Sequence, residues 1–199
     1  AAWHQGQLSD LALHFADLIA RLDPVADEKV LLGAALTSQY AVSGEVCVNL
    51  GEIAGTSVLV GVDGREIIAP KLSSWLTSLR RSSVVGTNDA YQPLVLENDN
   101  RLYLYQYRNL EARLATALRS RAEAPDFDVD PARLNRALSI VFPVVAEAVE
   151  QREAAALAIR RPFAVISGGP GTGKTTTVVR VLALLQELEI VVPDRVALS

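Results

Sequence analysis

A glycine-rich segment constrains the fold of this chain more than any other feature. Residues 168–175 read GGPGTGKT and match the pattern G-x-x-x-x-G-K-[ST]. Such a segment lets successive backbone N–H groups surround a triphosphate, because glycine has no side chain that prevents the backbone from curling tightly. An apolar run, residues 163–166, precedes it, and an apolar helical periodicity follows from Lys174. The sequence therefore predicts a strand, a phosphate-binding loop and a helix, in that order.

The loop chemistry predicts roles for its residues. Lys174 is expected to reach the β and γ phosphates of ATP, and the Thr175 hydroxyl is expected to hold Mg²⁺, which makes these two residues the catalytic candidates. The helix that begins there adds the positive end of its dipole and its free N–H groups. The predicted nucleotide-binding residues of the loop are Gly168, Gly169, Pro170, Gly171, Thr172, Gly173, Lys174, Thr175 and Thr176.

Gln151 is a candidate for contact with the base. It lies seventeen residues before Gly168, on a predicted helix. A glutamine amide carries both an acceptor and a donor, which suits the N6 donor and N7 acceptor of adenine. The spacing alone leaves open the alternative that Gln151 is a solvent-facing helix residue.

The hydrophobic periodicity before the loop predicts a mainly helical region that contains a β-hairpin. Helices are expected at residues 26–38 and 70–81, and a strand at residues 46–48. From Pro93 the period changes to two, and the apolar runs flank an Asn-Asp-Asn turn, which predicts the hairpin. The first helix is predicted from a stripe at helical spacing that consists of Leu8, Leu11, Phe15, Leu18 and Leu22.

A composition change predicts two domains. Residues 123–130 are acidic and contain a proline, so they are predicted to link an accessory domain, residues 1–122, to a second domain, residues 131–199. The second domain is expected to contain helices at 131–141, 144–160 and 174–189, with a second strand from residue 195. The predicted fold class is mixed α/β: a mainly helical N-terminal domain with a β-hairpin, then the beginning of a P-loop NTPase parallel sheet.

Composition narrows the remaining possibilities. A net charge of −4 gives no general electrostatic reason for the chain to coat nucleic acid. No apolar run approaches the roughly 18 to 20 residues of a membrane span, and a single cysteine fits a reducing compartment, so the expected location is the cytoplasm. Because the chain starts with Ala1 and contains no methionine, we expect Ala1 and Ser199 to be the limits of a piece.

Three further patterns each have a plain structural explanation. Tyr103, Tyr105 and Tyr107 alternate along the predicted hairpin and offer a base-stacking row, although strand tyrosines are also common and this second reading is favoured. The run at residues 58–63 ends in an aspartate but continues to Gly64, which favours a hairpin turn over a catalytic strand. The aspartates of residues 126–130 imitate the start of a calcium loop, yet lack its glycine and final glutamate, so a solvated linker is favoured.

The sequence resembles a known helicase family over most of its length. Residues 164–177, preceded by Gln151 and an alanine triplet, are similar to the start of the motor domain of superfamily 1 DNA helicases. The hairpin segments PLVL and RLYLY, followed by EARLA at residues 111–115, resemble the RecD family, the alpha subunits of RecBCD helicase–nucleases (exodeoxyribonuclease V).

This resemblance implies a RecA-like motor that uses ATP and Mg²⁺ to move 5′ to 3′ on single-stranded DNA. It also implies a heterotrimer with RecB-like and RecC-like subunits in double-strand break repair and recombination, with Gln151 at the adenine. The carboxylate that would complete the Mg²⁺ site and the later helicase motifs are not in the sequence, so we expect the chain alone neither to hydrolyse ATP nor to unwind DNA. A non-catalytic docking module and a nucleotide kinase remain as alternatives.

Overall fold

Two separate hydrophobic cores organise the chain. The computed structural model describes residues 8–61, 64–87, 91–97, 100–142 and 149–190. Internal contacts divide the chain into one unit at Ala1–Arg113 and a second at Leu114–Ser199. The boundary between the two units lies within the helix Tyr105–Ala122. The sequence instead predicts a first domain that includes this whole helix and ends at residue 122.

The first unit contains three longer helices, α1 (Asp10–Leu22), α2 (Glu28–Val42) and α4 (Leu72–Arg81), with the short α3 (Leu50–Ile53) between the last two. Ser9 and Asp27 cap α1 and α2 through side-chain oxygens that accept backbone N–H groups of the first turn. The predicted helices in this region are therefore confirmed, with ends that differ by a few residues.

The predicted apolar face of α1 is wrong in part. Ala12 and Ile19 are the buried residues of this helix, while Leu11, Leu18 and Leu22 are exposed. Ala12 and Ile19 each follow an exposed leucine by one position, which corresponds to a rotation of about 100° around the helix. The leucine stripe therefore lies beside the face that packs against the core.

The sheet of the first unit is built around the predicted hairpin. Strands β1 (Cys47–Asn49), β4 (Val85–Gly86), β5 (Leu94–Leu96) and β6 (Arg101–Leu104) form one sheet in the order β1-β6-β5-β4. All pairs are antiparallel except β4 with β5, which is parallel. The β5–β6 hairpin is confirmed, and Asn100 has the left-handed φ of 67° expected at its turn; Asn98 and Asp99 lie outside the described residues.

A second hairpin explains the run at residues 58–63. Strands β2 (Ser57–Val60) and β3 (Glu66–Ile68) are antiparallel. Gly61 N–H donates to Arg65 O at 2.7 Å, which closes the turn between the strands. The hairpin interpretation is confirmed, although residues 62–63 themselves lie outside the described part.

In the described residues that follow β6, the regular structure consists of four helices. They are α5 (Tyr105–Ala122), α6 (Pro131–Val141), α7 (Val149–Arg160) and α8 (Lys174–Glu187). Asp130 caps α6 by accepting the N–H groups of Ala132 and Arg133, as the Asp-Pro sequence predicts. The core of the second unit consists of Leu134, Ala137, Leu138, Phe142, Ala155, Ile159, Leu184 and Leu188.

The predicted strand at residues 163–166 is not present as a strand in the described part of the second unit. These residues have no regular secondary structure and lead directly into the glycine-rich loop. A strand is defined by hydrogen bonds to a neighbouring strand. The neighbour that the sequence predicts, from residue 195, lies outside the described residues.

Candidate functional site

The glycine-rich loop has the backbone conformation that its glycines permit. Gly171 and Gly173 have φ values of 76° and 78°, in the left-handed region that other residues rarely adopt. Thr172 braces the loop internally, because its Oγ1 donates to Gly169 O at 2.9 Å. A Cβ at Gly168 would lie 2.5 Å from the same Oγ1, so a side chain at this position would clash with Thr172.

Lys174 is directed back over the loop. Its Nζ donates to Gly168 O at 2.8 Å and to Gly169 O at 2.7 Å. An ammonium group has three donor hydrogens and no acceptor, so both carbonyl oxygens are suitable partners. The lysine charge is thereby held in the concave side of the loop, at the first residue of α8.

Within the part of the chain that the structure describes, the N-terminus of α8 provides N–H donors beside this charge that have no side-chain cap. The first N–H groups of a helix have no acceptor within the helix, and Gly173, at the N-cap position, supplies no side-chain acceptor. Thr175 and Thr176 are exposed in this first turn, while Thr177 is buried and its Oγ1 donates to Gly173 O at 3.0 Å. The Thr177 hydroxyl therefore stabilises the start of the helix, and the exposed first turn is accessible to a ligand.

Gln151 contacts the loop directly. Its Nε2 donates to Thr172 O at 3.3 Å, and its Oε1 accepts from Arg180 Nη1 at 3.0 Å. The φ of Gly173 favours glycine, and a Cβ there would lie 2.7 Å from Gln151 Nε2, so a larger residue would also displace this amide. The structure therefore places the Gln151 side chain at the end of the loop, in contact with Thr172 and Arg180.

Arg180 is a site residue that the sequence analysis missed. It lies on α8, and its guanidinium Cζ is 4.9 Å from the centroid of the Phe142 ring. An arginine on a helix with mixed apolar and polar positions carries no signal in a single sequence. Only the packing of α7 beside α8 brings it to Gln151.

The tyrosine row proposed for base stacking is not formed. Tyr103 is buried in β6, but Tyr105 and Tyr107 belong to α5 rather than to the hairpin. The sheet ends at Leu104, so the alternation that would align the three rings stops there. Burial raises the pKa of Tyr103 to about 12, as expected of a core phenol rather than of a base-stacking platform.

Two of the three aspartates at residues 126–130 have partners in the protein. Asp126 forms an ion pair with Arg161 at 3.2 Å, and Asp130 caps α6. Within the described residues, no group of three or more His, Cys, Asp and Glu side chains is arranged to hold a metal ion. The calcium-loop alternative therefore has no support in the described part of the structure.

None of the helices that the structure describes combines the length and the apolar character that crossing a membrane would require.

Comparison with known protein families finds matches to two parts of the chain. The family model "AAA domain" matches residues 151–198, which include Gln151 and the whole glycine-rich loop. The class defined by this match and the α/β fold is that of proteins with an AAA-type nucleotide-binding domain. The family model "RecBCD enzyme subunit RecD, N-terminal domain" matches residues 4–103. The chain belongs to the RecD family.

Curated relatives agree with this assignment. The RecBCD enzyme subunit RecD of Mycobacterium tuberculosis (strain ATCC 25618 / H37Rv) is 35% identical over 193 residues, covering 94% of this chain and 30% of that protein. The protein of the same name from Mycolicibacterium smegmatis is 34% identical over 176 residues, covering 88% of this chain and 29% of the relative. That from Haemophilus influenzae is 41% identical over 93 residues, covering 44% and 14%. The chain spans less than a third of the length of these relatives.

Proposed function

We propose that this chain supplies the N-terminal domain and the ATP-binding loop of a DNA helicase subunit in a RecBCD-type complex. The observation that carries the proposal is the loop of residues 168–175, which has two left-handed glycines, an inward-directed Lys174 and the uncapped start of α8. This arrangement concentrates positive charge and unpaired N–H donors in one place, which is what a nucleotide phosphate requires.

The residues present fit ATP with Mg²⁺. Lys174 Nζ would exchange its two carbonyl acceptors for phosphate oxygens, and the N–H groups at the start of α8 would bind the same phosphates. The exposed Thr175 hydroxyl would hold Mg²⁺, which usually keeps several waters and takes few protein ligands. When bound, the ion would neutralise charge on the transferring phosphoryl group. Gln151 would bind the adenine.

A binding experiment tests the nucleotide site on the chain as it is. Thermal unfolding is followed with Mg²⁺ and a series of ligands: ATP, ADP, GTP and adenosine. ATP at about a hundred times its Kd is expected to stabilise the second unit by about 2.7 kcal/mol, and adenosine much less, because the phosphates supply most contacts. If no nucleotide shifts the unfolding transition at millimolar concentration, the proposed site is wrong.

In the complete protein, we propose that this site drives 5′ to 3′ movement on single-stranded DNA in the cytoplasm, in the service of double-strand break repair. The names of the relatives, RecBCD subunits, support membership of such a complex with RecB-like and RecC-like partners. A nucleotide kinase would use a similar loop, but the match of residues 4–103 to a RecD N-terminal domain favours the helicase subunit.

We propose that residues 1–122 form the docking domain for the RecC-like subunit. Two exposed apolar stripes support this role: Leu11, Leu18 and Leu22 on α1, and Leu110, Leu114 and Leu118 on α5. The helix α5 has no buried residue along its 18 positions. Exposed apolar stripes on a helix are typical of protein interaction sites. We keep residue 122 as the boundary of the proposed docking domain because α5 ends there.

Co-purification tests the docking domain. Residues 1–122 are expected to bind the RecC-like subunit, and Leu11→Glu with Leu18→Glu is expected to weaken binding at least about tenfold, because two charges would enter an apolar interface. Ile67→Glu, on the exposed strand β3, is the control with the same chemistry. Binding to the RecB-like subunit alone, or full binding by the double variant, would contradict the proposed surface.

A further inference from the structure

Arg180 connects the candidate adenine contact to the core of the second unit. Its guanidinium lies over the ring of Phe142 at 4.9 Å, and Phe142 is completely buried. A planar guanidinium on an aromatic face is held by stacking and by attraction to the ring electrons. Arg180 thus has a fixed platform, unlike an arginine that extends into solvent.

This platform fixes the orientation of the Gln151 amide. Arginine can only donate, so the atom of Gln151 that faces Arg180 Nη1 at 3.0 Å is the oxygen, Oε1. The nitrogen then faces the loop, where it donates to Thr172 O at 3.3 Å. A carbonyl oxygen can only accept, so both contacts demand the same orientation.

Among the residues that the structure describes, these two contacts use half of the hydrogen-bonding capacity of the Gln151 amide. A glutamine oxygen has two lone pairs and its nitrogen has two hydrogens, and Arg180 and Thr172 each use one. One acceptor and one donor remain, which are the groups that adenine N6–H and N7 need. We propose that Arg180 is a positioning residue for base recognition: it holds Gln151 so that its remaining acceptor and donor select adenine. This inference rests on the proposed function, because it requires that the loop binds ATP.

Selection against guanine follows from the fixed orientation. Guanine carries the acceptor O6 where adenine carries the N6 donor, so an amide oxygen held toward this position is repelled by GTP. Without Arg180, only the longer contact to Thr172 O, at 3.3 Å, holds this orientation, so the amide turns more readily and can then donate to O6. Loss of Arg180 is therefore expected to reduce the preference for ATP over GTP, and not simply the affinity for triphosphates.

Equilibrium binding to the 199-residue chain provides the test. Kd values are measured for ATP, GTP and inorganic tripolyphosphate with Arg180→Met, Gln151→Ala and the double variant. Arg180→Met is expected to lower the ATP-to-GTP affinity ratio about tenfold, the size of a lost two-bond base contact, and by more than any change in tripolyphosphate affinity. The double variant is expected to match Gln151→Ala alone, because Arg180 acts through Gln151.

Two further variants separate positioning from a general structural role. Arg152→Met removes the same charge one residue from Gln151 but on another side of α7, and is expected to leave the ratio unchanged. Arg180→Lys keeps a hydrogen-bond donor at this position, so we expect it to retain part of the wild-type ATP-to-GTP affinity ratio. If Arg180→Met instead weakens all three ligands equally, in step with its thermal stability, and adds to Gln151→Ala, Arg180 is only a packing residue and the inference is overturned.

The outcomes also distinguish this inference from the proposed function. If the wild-type chain binds neither ATP nor tripolyphosphate, the proposed function fails and the inference falls with it. If the wild-type chain prefers ATP to GTP and Arg180→Met keeps that preference, the nucleotide site stands and the positioning role of Arg180 is overturned.

Discussion

Replacement of Lys174 by alanine is expected to lower ATP hydrolysis by the full-length protein about a thousandfold. Its Nζ occupies the inside of the loop, within 2.8 Å of two carbonyl oxygens, and no other lysine lies in the second unit. Phosphoryl transfer places negative charge on the phosphate oxygens, and the lysine supplies the compensating charge. Assembly with the partner subunits is expected to persist, because the proposed docking surface belongs to residues 1–122.

Steady-state ATPase assays and co-purification measure the two halves of this prediction. Lys71→Ala is the matched control, since Lys71 is exposed at the start of α4 in the first unit. Because Lys174 also braces the loop, thermal unfolding of the variant is compared with that of wild type. Wild-type turnover by Lys174→Ala would exclude the proposed role of the loop, and loss of assembly would show that the two units are not functionally separable.

Local signals in the sequence predicted several elements of the fold correctly, including the helix that follows the glycine-rich loop. The loop pattern, the start of α8 at Lys174 and the Asp130 cap of α6 depend on interactions within a few residues, so the sequence contains them completely. The same holds for the β5–β6 hairpin, whose turn residues adjoin its strands.

Contacts between distant residues account for what the sequence did not predict. The orientation of α1 depends on its packing against α2. Apolar residues occupy adjacent positions of α1, such as Leu18 and Ile19, so the sequence alone does not show which of them is buried. The two-residue strand β4 forms only through its parallel pairing with β5, which the local sequence of β4 does not predict. The contact of Arg180 with Gln151 joins positions 29 residues apart, and no pattern in a single sequence predicts that these two side chains meet.

Replacement of Trp75 by alanine is expected to destabilise the first unit by about 3–5 kcal/mol, the usual cost of removing a large buried aromatic side chain. Trp75 is completely buried on α4, and its Nε1 donates to Lys29 O at 2.8 Å. It also packs beside Gly33, where an added Cβ would lie 3.4 Å from Nε1. The variant would therefore lose core packing and leave the Lys29 carbonyl without its donor.

Chemical denaturation followed by circular dichroism measures this loss, and Trp75→Phe separates its two causes. Phenylalanine keeps most of the apolar volume and removes the N–H donor, so its smaller loss, about 1–3 kcal/mol, reports the unsatisfied carbonyl and a modest gap. Because domains of this size have a total stability of only about 5–15 kcal/mol, this loss is a large fraction of the total, and Trp75→Ala is expected to weaken docking to the RecC-like subunit. ATP binding by the second unit is expected to persist, since that unit has its own core. A parallel loss of ATP affinity would show instead that the two units fold as one.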